Sequence, residues 1–319
     1  MEREEIQTLQ LERLKNIVGW AYEKSAFYRQ SFDNAGVKPS DLQVVDDIKK
    51  FPFLTLAELN REDSMDFLTL PLSSILRINY VKSSDEGLHL VNFYAKEDIV
   101  KNVELMVRCL QAAKIYRGFI VGVQGDLSDS KFQDVIYALE SMSVTVVPLG
   151  VNYTQWLKIL ERFPIDVLIT TPQLAMQLII QLQAAEKKFE NYPIKKIICL
   201  NHNNIQNPLQ VHIEDRTGAA VYNLFAPVEL GTAGMIFQCS NTSGHHVQEE
   251  NFFVEIADFS SDEIIDEDEH MGELVITALT AYARPLIRYR TRQVVRRMSG
   301  DCPCGRKSLR LATPFTKTF

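Results

Sequence analysis

Apolar residues Leu11, Leu14, Val18 and Tyr22 recur at three- and four-residue intervals among charged neighbours, the spacing of one helix face. The pattern predicts an amphipathic helical arm over residues 6–35, with Gly36 as its C-terminal stop. Pro39, Pro52 and Pro71 then punctuate a stretch of short elements. From Leu76 onward the period changes. Apolar runs of strand length at 119–123, 144–147, 166–170 and 194–200 alternate with helical stretches at 132–142, 153–163 and 172–189. Strand and helix in alternation predict a mostly parallel sheet with helices on its faces, and ligands of such sheets sit outside the carboxyl ends of the strands.

After Gly218 the helical period fades, and runs at 252–257 and 273–277 predict strands joined by acidic loops. The expected organisation is therefore an N-terminal arm and irregular segment (1–75), an α/β subdomain (76–218) and a β-rich subdomain (219–319). The fold class is α/β with a β-rich C-terminal portion. The run of Ser, Asp and Glu at 260–269 reads as a solvated turn, because clustered like charges repel one another and stay in water.

A formal net charge of −7 excludes a surface built to neutralise nucleic-acid phosphates. Residues 1–11 lack a continuous apolar stretch and no window is long enough to span a bilayer, so the expected setting is the cytoplasm, with no membrane and no nucleic acid among the partners. Cysteine usage agrees. Five cysteines, two of them one residue apart, make a poor disulfide framework. Cys109 and Cys199 fall within apolar runs and read as core. Cys239, His246, Cys302 and Cys304 together supply three thiols and one imidazole, a closed tetrahedral shell suited to structural zinc. The competing reading makes Cys239 a small buried residue and Cys302-Pro303-Cys304 a plain turn. His89, His202, His212 and His270 have no spacing that forms a second metal site or a triad, and read as loop or surface residues. Phe27, Tyr28 and Phe32 read as packing.

Five ordered segments carry a family resemblance. Residues 14–29, which include Trp20-Ala21-Tyr22-Glu23 and Ser25-Ala26-Phe27-Tyr28-Arg29, are similar to the opening of phenylacetate-CoA ligases. Phe51-Pro52-Phe53-Leu54-Thr55 resembles that family's Leu-Pro-Phe-Thr-Thr. Gly272-Glu273-Leu274-Val275-Ile276-Thr277 and Pro285-Leu286-Ile287-Arg288-Tyr289-Arg290-Thr291 resemble its Gly-Glu-Leu-Val-x-Thr and Pro-x-Ile-Arg-Tyr-Arg-Thr, and Cys302-Pro303-Cys304-Gly305-Arg306 completes the set. The resemblance implies the large N-terminal body of an adenylate-forming ligase. It also implies a small mobile C-terminal domain bearing a catalytic lysine, for which the sequence ending at Phe319 has no counterpart. The family's Cys before Gly-x-His and its terminal Cys-Pro-Cys-Gly favour the zinc reading.

Residue by residue, the implied nucleotide site is altered. The phosphate loop Ser-Ser-Gly-Thr-Thr-Gly-Lys-Pro corresponds to Ser83-Ser84-Asp85-Glu86-Gly87-Leu88-His89. Ser83, Ser84 and Gly87 remain, but two acids stand where phosphates would lie and the lysine is lost, so charge opposes ATP. The adenine-contacting stretch is replaced near Asn203, and Tyr-Gly-x-Ser/Thr-Glu becomes Phe225-Ala226-Pro227-Val228-Glu229, which keeps the Mg²⁺-type carboxylate Glu229 as the catalytic candidate. Gln293 occupies the ribose carboxylate position and cannot act as a paired charged acceptor. Arg288 serves either as a nucleotide contact or as a structural ion-pair partner. Two functions are open: a non-catalytic relative that binds a small carboxylic acid or a partner protein, or an ATP-dependent carboxylate-activating enzyme completed by a separate chain. The N-terminal arm is a candidate homodimer element.

Overall fold

Ser25 divides the N-terminal arm. The computed structural model, which describes residues 2–61, 64–82, 89–202, 204–241 and 244–314, gives two helices where one was expected, α1 (Arg3–Lys24) and α2 (Ala26–Asn34). Ser25 is extended, and its Oγ accepts a hydrogen bond from the Tyr28 backbone N–H at 3.3 Å, so it is the N-cap that starts the second helix. The chain then turns at Gly36, whose φ of +69° suits a residue without Cβ.

Beyond the arm lie α3 (Leu56–Arg61), β1 (Arg77–Lys82), β2 (His89–Tyr94) and α4 (Lys96–Ala112). A strand–helix alternation follows as β3 (Ile120–Val123), α5 (Ser130–Ser141), β4 (Thr145–Pro148), α6 (Tyr153–Arg162), β5 (Val167–Thr170), α7 (Pro172–Ala184), β6 (Lys196–Asn201), α8 (Gln210–Thr217) and β7 (Ala220–Phe225). Six strands close the described chain: β8 (Ile236–Phe237), β9 (His245–Val247), β10 (Phe252–Ala257), β11 (Gly272–Ala278), β12 (Tyr289–Arg297) and β13 (Arg310–Ala312).

These elements form two compact units whose boundaries are not those expected from composition. One unit combines residues 1–101, 227–231 and 243–319; the other combines 102–226 and 232–242. The arm and the β-rich segment, placed apart in the sequence reading, thus belong to a single unit. Long-range hydrogen bonds join them. Tyr28 Oη donates to the Pro285 carbonyl and accepts from the Ile287 N–H, both at 3.0 Å, and Trp20 Nε1 donates to the Tyr282 carbonyl. Leu54 bridges Tyr289 in parallel register. Phe27, Tyr28, Phe32, Phe51 and Phe67 pack as an aromatic cluster with ring centroids 4.4–6.2 Å apart, which fixes the expected packing role. In this unit β10, β11, β12, β13 and β9 pair antiparallel in that order, and β1 and β2 form a separate hairpin.

The other unit holds the predicted parallel sheet, ordered β4-β3-β5-β6-β7, with β8 added antiparallel to β7. Its strands read as unbroken apolar runs because both faces are covered. Val167, Ile169, Ile198 and Leu200 face a core with Met106, Leu110, Phe132 and Val135. The alternate residues Leu168, Ile197 and Cys199 face a second core with Trp156, Leu178 and Ile213. Cys109 and Cys199 are fully buried in these two cores, as expected. Both are core residues. Among the described residues no helix is long and apolar enough to cross a membrane.

Gly125 follows β3 where the backbone passes against α5. A Cβ there would stand 2.2 Å from the Phe132 ring, and an aromatic ring in a packed core cannot bend away. Gly125→Ala is expected to lower the free energy of unfolding by about 1–3 kcal/mol, measured by chemical denaturation.

Candidate functional site

Glu229 lies in a single helical turn, Val228–Leu230, that Gly231 closes with φ +63°. Only glycine fits. A Cβ at Gly231 would come within 2.7 Å of the Tyr94 hydroxyl. The Glu229 side chain is buried and accepts a hydrogen bond from Tyr289, whose hydroxyl pKa is raised by burial and by that carboxylate. Arg284, also buried, donates from Nη1 to the Glu229 carbonyl and to Asn92 Oδ1, each at 2.9 Å. Asn92 Nδ2 in turn donates to the Val228 carbonyl at 2.9 Å. Burial lowers the Arg284 pKa, while the nearby Glu229 charge acts in the opposite direction. A carboxylate held by a tyrosine and neighboured by a buried guanidinium is rigid, and part of its charge is already balanced. Arg284 and Asn92 were not singled out from sequence. A charged residue set between Ala283 and Pro285-Leu286-Ile287 was the available signal, since an arginine inside an apolar run needs a partner.

Arg288 forms a buried ion pair with Glu255. Its Nε and Nη2 meet the two Glu255 oxygens at 3.0 and 2.9 Å, and Nη1 donates to the Lys49 and Phe51 carbonyls at 3.1 and 2.5 Å. The guanidinium also stacks over Phe53 at 4.0 Å. Four hydrogen bonds and a stacked face leave little of it for a nucleotide. Both side chains of the pair are 3% exposed, and burial lifts the Glu255 carboxyl above its usual range despite the pull of Arg288. Arg290 is likewise engaged, with Nε donating to Glu273 at 2.8 Å.

Gln293 sits in β12 beside an irregularity in its pairing with β11. Glu273 organises this stretch by also accepting the Arg292 N–H at 2.8 Å, and Gln293 donates its own N–H to Thr291 Oγ1 at 3.2 Å. In the other unit, Phe225 ends β7, is buried, and pairs in register with Asn201 at the end of β6. Both therefore stand at carboxyl ends of parallel strands. The predicted contacts Ser83, Ser84, Gly87 and Asn203 lie outside the described residues. His202 follows β6 in a loop, with Nε2 3.0 Å from Lys131 Nζ. Burial and that ammonium together push its pKa down to about 4.

A second group of side chains forms at the antiparallel sheet. Cys302 and Cys304 flank a tight turn in which the Gly305 N–H donates to the Cys302 carbonyl at 2.9 Å, with Gly305 at φ +83°. His246 lies on β9, opposite Arg310 of β13. The ligand atoms of His246, Cys302 and Cys304 all lie within 4.8 Å of one another, and His246 Nε2 is 3.4 Å from Cys304 Sγ. Tetrahedral zinc with bonds of about 2.0–2.3 Å sets ligand atoms roughly 3.5 Å apart, and thiol and imidazole are donor types that such an ion takes. This group has metal-binding capacity. Gly244 admits the strand here, because a Cβ at its φ of +83° would fall 2.3 Å from Met298 Sδ. Burial, with Arg306 and Arg310 nearby, lowers the His246 pKa to about 4, which keeps its ring neutral. Cys239, the remaining predicted ligand, belongs to the other unit, where it is fully buried just after β8 and its thiol meets the Asn241 carbonyl at 3.1 Å.

A cavity of about 640 Å³ also opens in the unit that carries Cys302, lined in part by Arg3, Lys49, Glu249, Asp266, Asp301 and Lys307. Its charges are largely paired internally, as Arg3 with Glu249, Lys49 with Asp266, and Lys307 with Asp301.

No family model matches the chain. The phenylacetate-coenzyme A ligase of Escherichia coli (strain K12) is 28% identical over 318 residues, covering 97% of this chain and 71% of that enzyme. The phenylacetate-coenzyme A ligase of Thermus thermophilus is 26% identical over 321 residues, covering all of this chain and 72% of that enzyme. Among solved structures, an open conformation of 2-hydroxyisobutyryl-CoA ligase bound to 2-HIB-AMP and CoA superposes with a TM-score of 0.89 at 19% identity, over 98% of this chain and 74% of that one.

The Arg288–Glu255 pair yields a direct expectation. Arg288→Ala should destabilise the protein by about 3–5 kcal/mol, because it strands a buried carboxylate. Equilibrium unfolding in urea measures the loss.

Proposed function

From the chain's membership of the phenylacetate-CoA ligase-like group of the acyl-CoA synthetase superfamily, matched over the N-terminal adenylate-forming region, we propose that it is a ligase-like body with a degenerate nucleotide site. Its role is then to bind a small carboxylic acid, or a partner protein, with weak or no ligase activity in the cytoplasm. Phenylacetate and 2-hydroxyisobutyrate, named for its relatives, represent the class of acid.

The observation that carries this reading is the state of Glu229. Of the parts expected around an adenylating centre it is the carboxylate that remains, and it is held by Tyr289 with buried Arg284 beside it. An Mg²⁺ ion binds carboxylates that offer free negative charge. Positive charge already present at Glu229 weakens that offer. The sequence supports the same conclusion at two other places: Asp85 and Glu86 oppose phosphate by Coulomb repulsion, and Gln293 lacks the charge that grips two ribose hydroxyls. Arg288, which could have compensated, is committed to Glu255. The retained Glu229 is also what favours the second reading, an adenylating enzyme completed by a separate chain.

A structural zinc belongs to the proposal. His246, Cys302 and Cys304 would hold it, with Cys239 as the fourth ligand, and a shell closed by three thiolates and an imidazole leaves no position for catalysis. The metal would tie the Cys-Pro-Cys turn to β9. Its contribution is to folding.

Two measurements test these statements. Isothermal titration with Mg²⁺-ATP is expected to remain silent at millimolar nucleotide, and micromolar binding would overturn the degenerate site in favour of the enzyme reading. Metal analysis of the purified protein is expected to find about one zinc per chain, lost in Cys302→Ser; a content near zero in the unaltered protein removes the zinc.

A further inference from the structure

A neutral imidazole has one N–H and one lone pair, and only the lone pair can bind a metal. His246 directs Nε2 toward Cys304 Sγ at 3.4 Å. With a metal bound at Nε2, its single proton resides on Nδ1, which needs an acceptor because the ring is buried. Ser308 Oγ stands 2.9 Å from that nitrogen. The sheet puts it there: the Val247 N–H donates to the Leu309 carbonyl at 2.9 Å, and His246 is the register partner of Arg310. Ser308, just before β13, is thereby brought alongside the His246 ring by the same ladder that sets the ring's direction.

We infer that Ser308 is a positioning residue for the metal centre, accepting the Nδ1–H of His246 so that Nε2 is presented, unprotonated, to zinc beside Cys302 and Cys304. The inference rests on the zinc reading proposed above and adds to it a residue that the pattern of cysteines and histidine does not reveal. The physical effect is twofold. The hydrogen bond selects the tautomer that can coordinate, and it holds the ring plane so that no reorientation is needed when the metal arrives. Outer partners of this kind are worth about 10–100-fold in metal affinity. The Ser308 main chain also hydrogen-bonds the His246 ring, so the hydroxyl's share has to be measured by removing the hydroxyl alone.

Competition against a chromogenic zinc chelator provides that measurement on the full chain. Ser308→Ala is expected to weaken zinc binding about tenfold or more, while Ser308→Thr, which keeps the hydroxyl, restores affinity to within about twofold. Far-ultraviolet circular dichroism of the zinc-loaded variants checks that the fold persists. Long-range ¹H–¹⁵N correlation spectra of the zinc-loaded protein are expected to show His246 protonated at Nδ1 and metal-bound at Nε2. Equal affinity for the unaltered protein and Ser308→Ala overturns the positioning role while leaving the zinc site intact. A ring bound through Nδ1 overturns it as well. Absence of zinc binding by the unaltered protein removes both the metal reading and this inference.

Discussion

A buried ion pair sets the geometry of the β-rich unit. Arg288 and Glu255 are both almost fully enclosed, so the desolvation of two charges has to be offset by good hydrogen bonding. The two bonds across the pair and the two to the Lys49 and Phe51 carbonyls supply that. Arg288 has a φ of +51°, a conformation costly for any residue with a Cβ. Its N–H is satisfied by Thr277 Oγ1 at 3.0 Å. One residue thus links β10, β11, the start of β12 and the segment at 49–53. Chain sections more than two hundred residues apart meet at a single guanidinium.

This arrangement determines what the neighbouring residues can do. Tyr289 follows Arg288 immediately, and the turn that aims Arg288 at Glu255 leaves Tyr289 to engage Glu229. Arg284, four residues earlier, ties the same carboxylate's main chain to Asn92. A motif that resembles a ligand-binding strand is therefore occupied internally at each of its charged positions: Arg284 by Asn92 and the Glu229 carbonyl, Arg288 by Glu255, and Arg290 by Glu273. These internal bonds hold the strand in place within the acyl-CoA synthetase-like body.

The cysteine–histidine cluster follows another logic. A Cys-Pro-Cys-Gly turn carries its two thiols on a short, rigid loop, and Gly305 accepts the left-handed conformation that closes it. Metal binding at such a loop couples directly to its folding. The antiparallel pairing of β9 with β13 carries His246, whose Nε2 stands 3.4 Å from Cys304 Sγ.

Much of this was legible in the sequence. Alternating apolar runs placed β3 to β6 and the helices α5 to α7 to within a few residues, because a strand buried on both faces leaves an unbroken hydrophobic signature; α8 and β7 were not anticipated. The donor types at Cys239, His246, Cys302 and Cys304 were visible as residue chemistry. Other features were not. Ser25 as a helix break, the joining of the N-terminal arm to the β-rich segment, and the partners of Arg284, Arg288 and Ser308 all depend on contacts between residues far apart in the chain. Periodicity and local propensity report which face of an element is apolar. They do not report which distant carbonyl, carboxylate or hydroxyl satisfies a buried donor, and that is decided only when the sheets assemble and water is excluded.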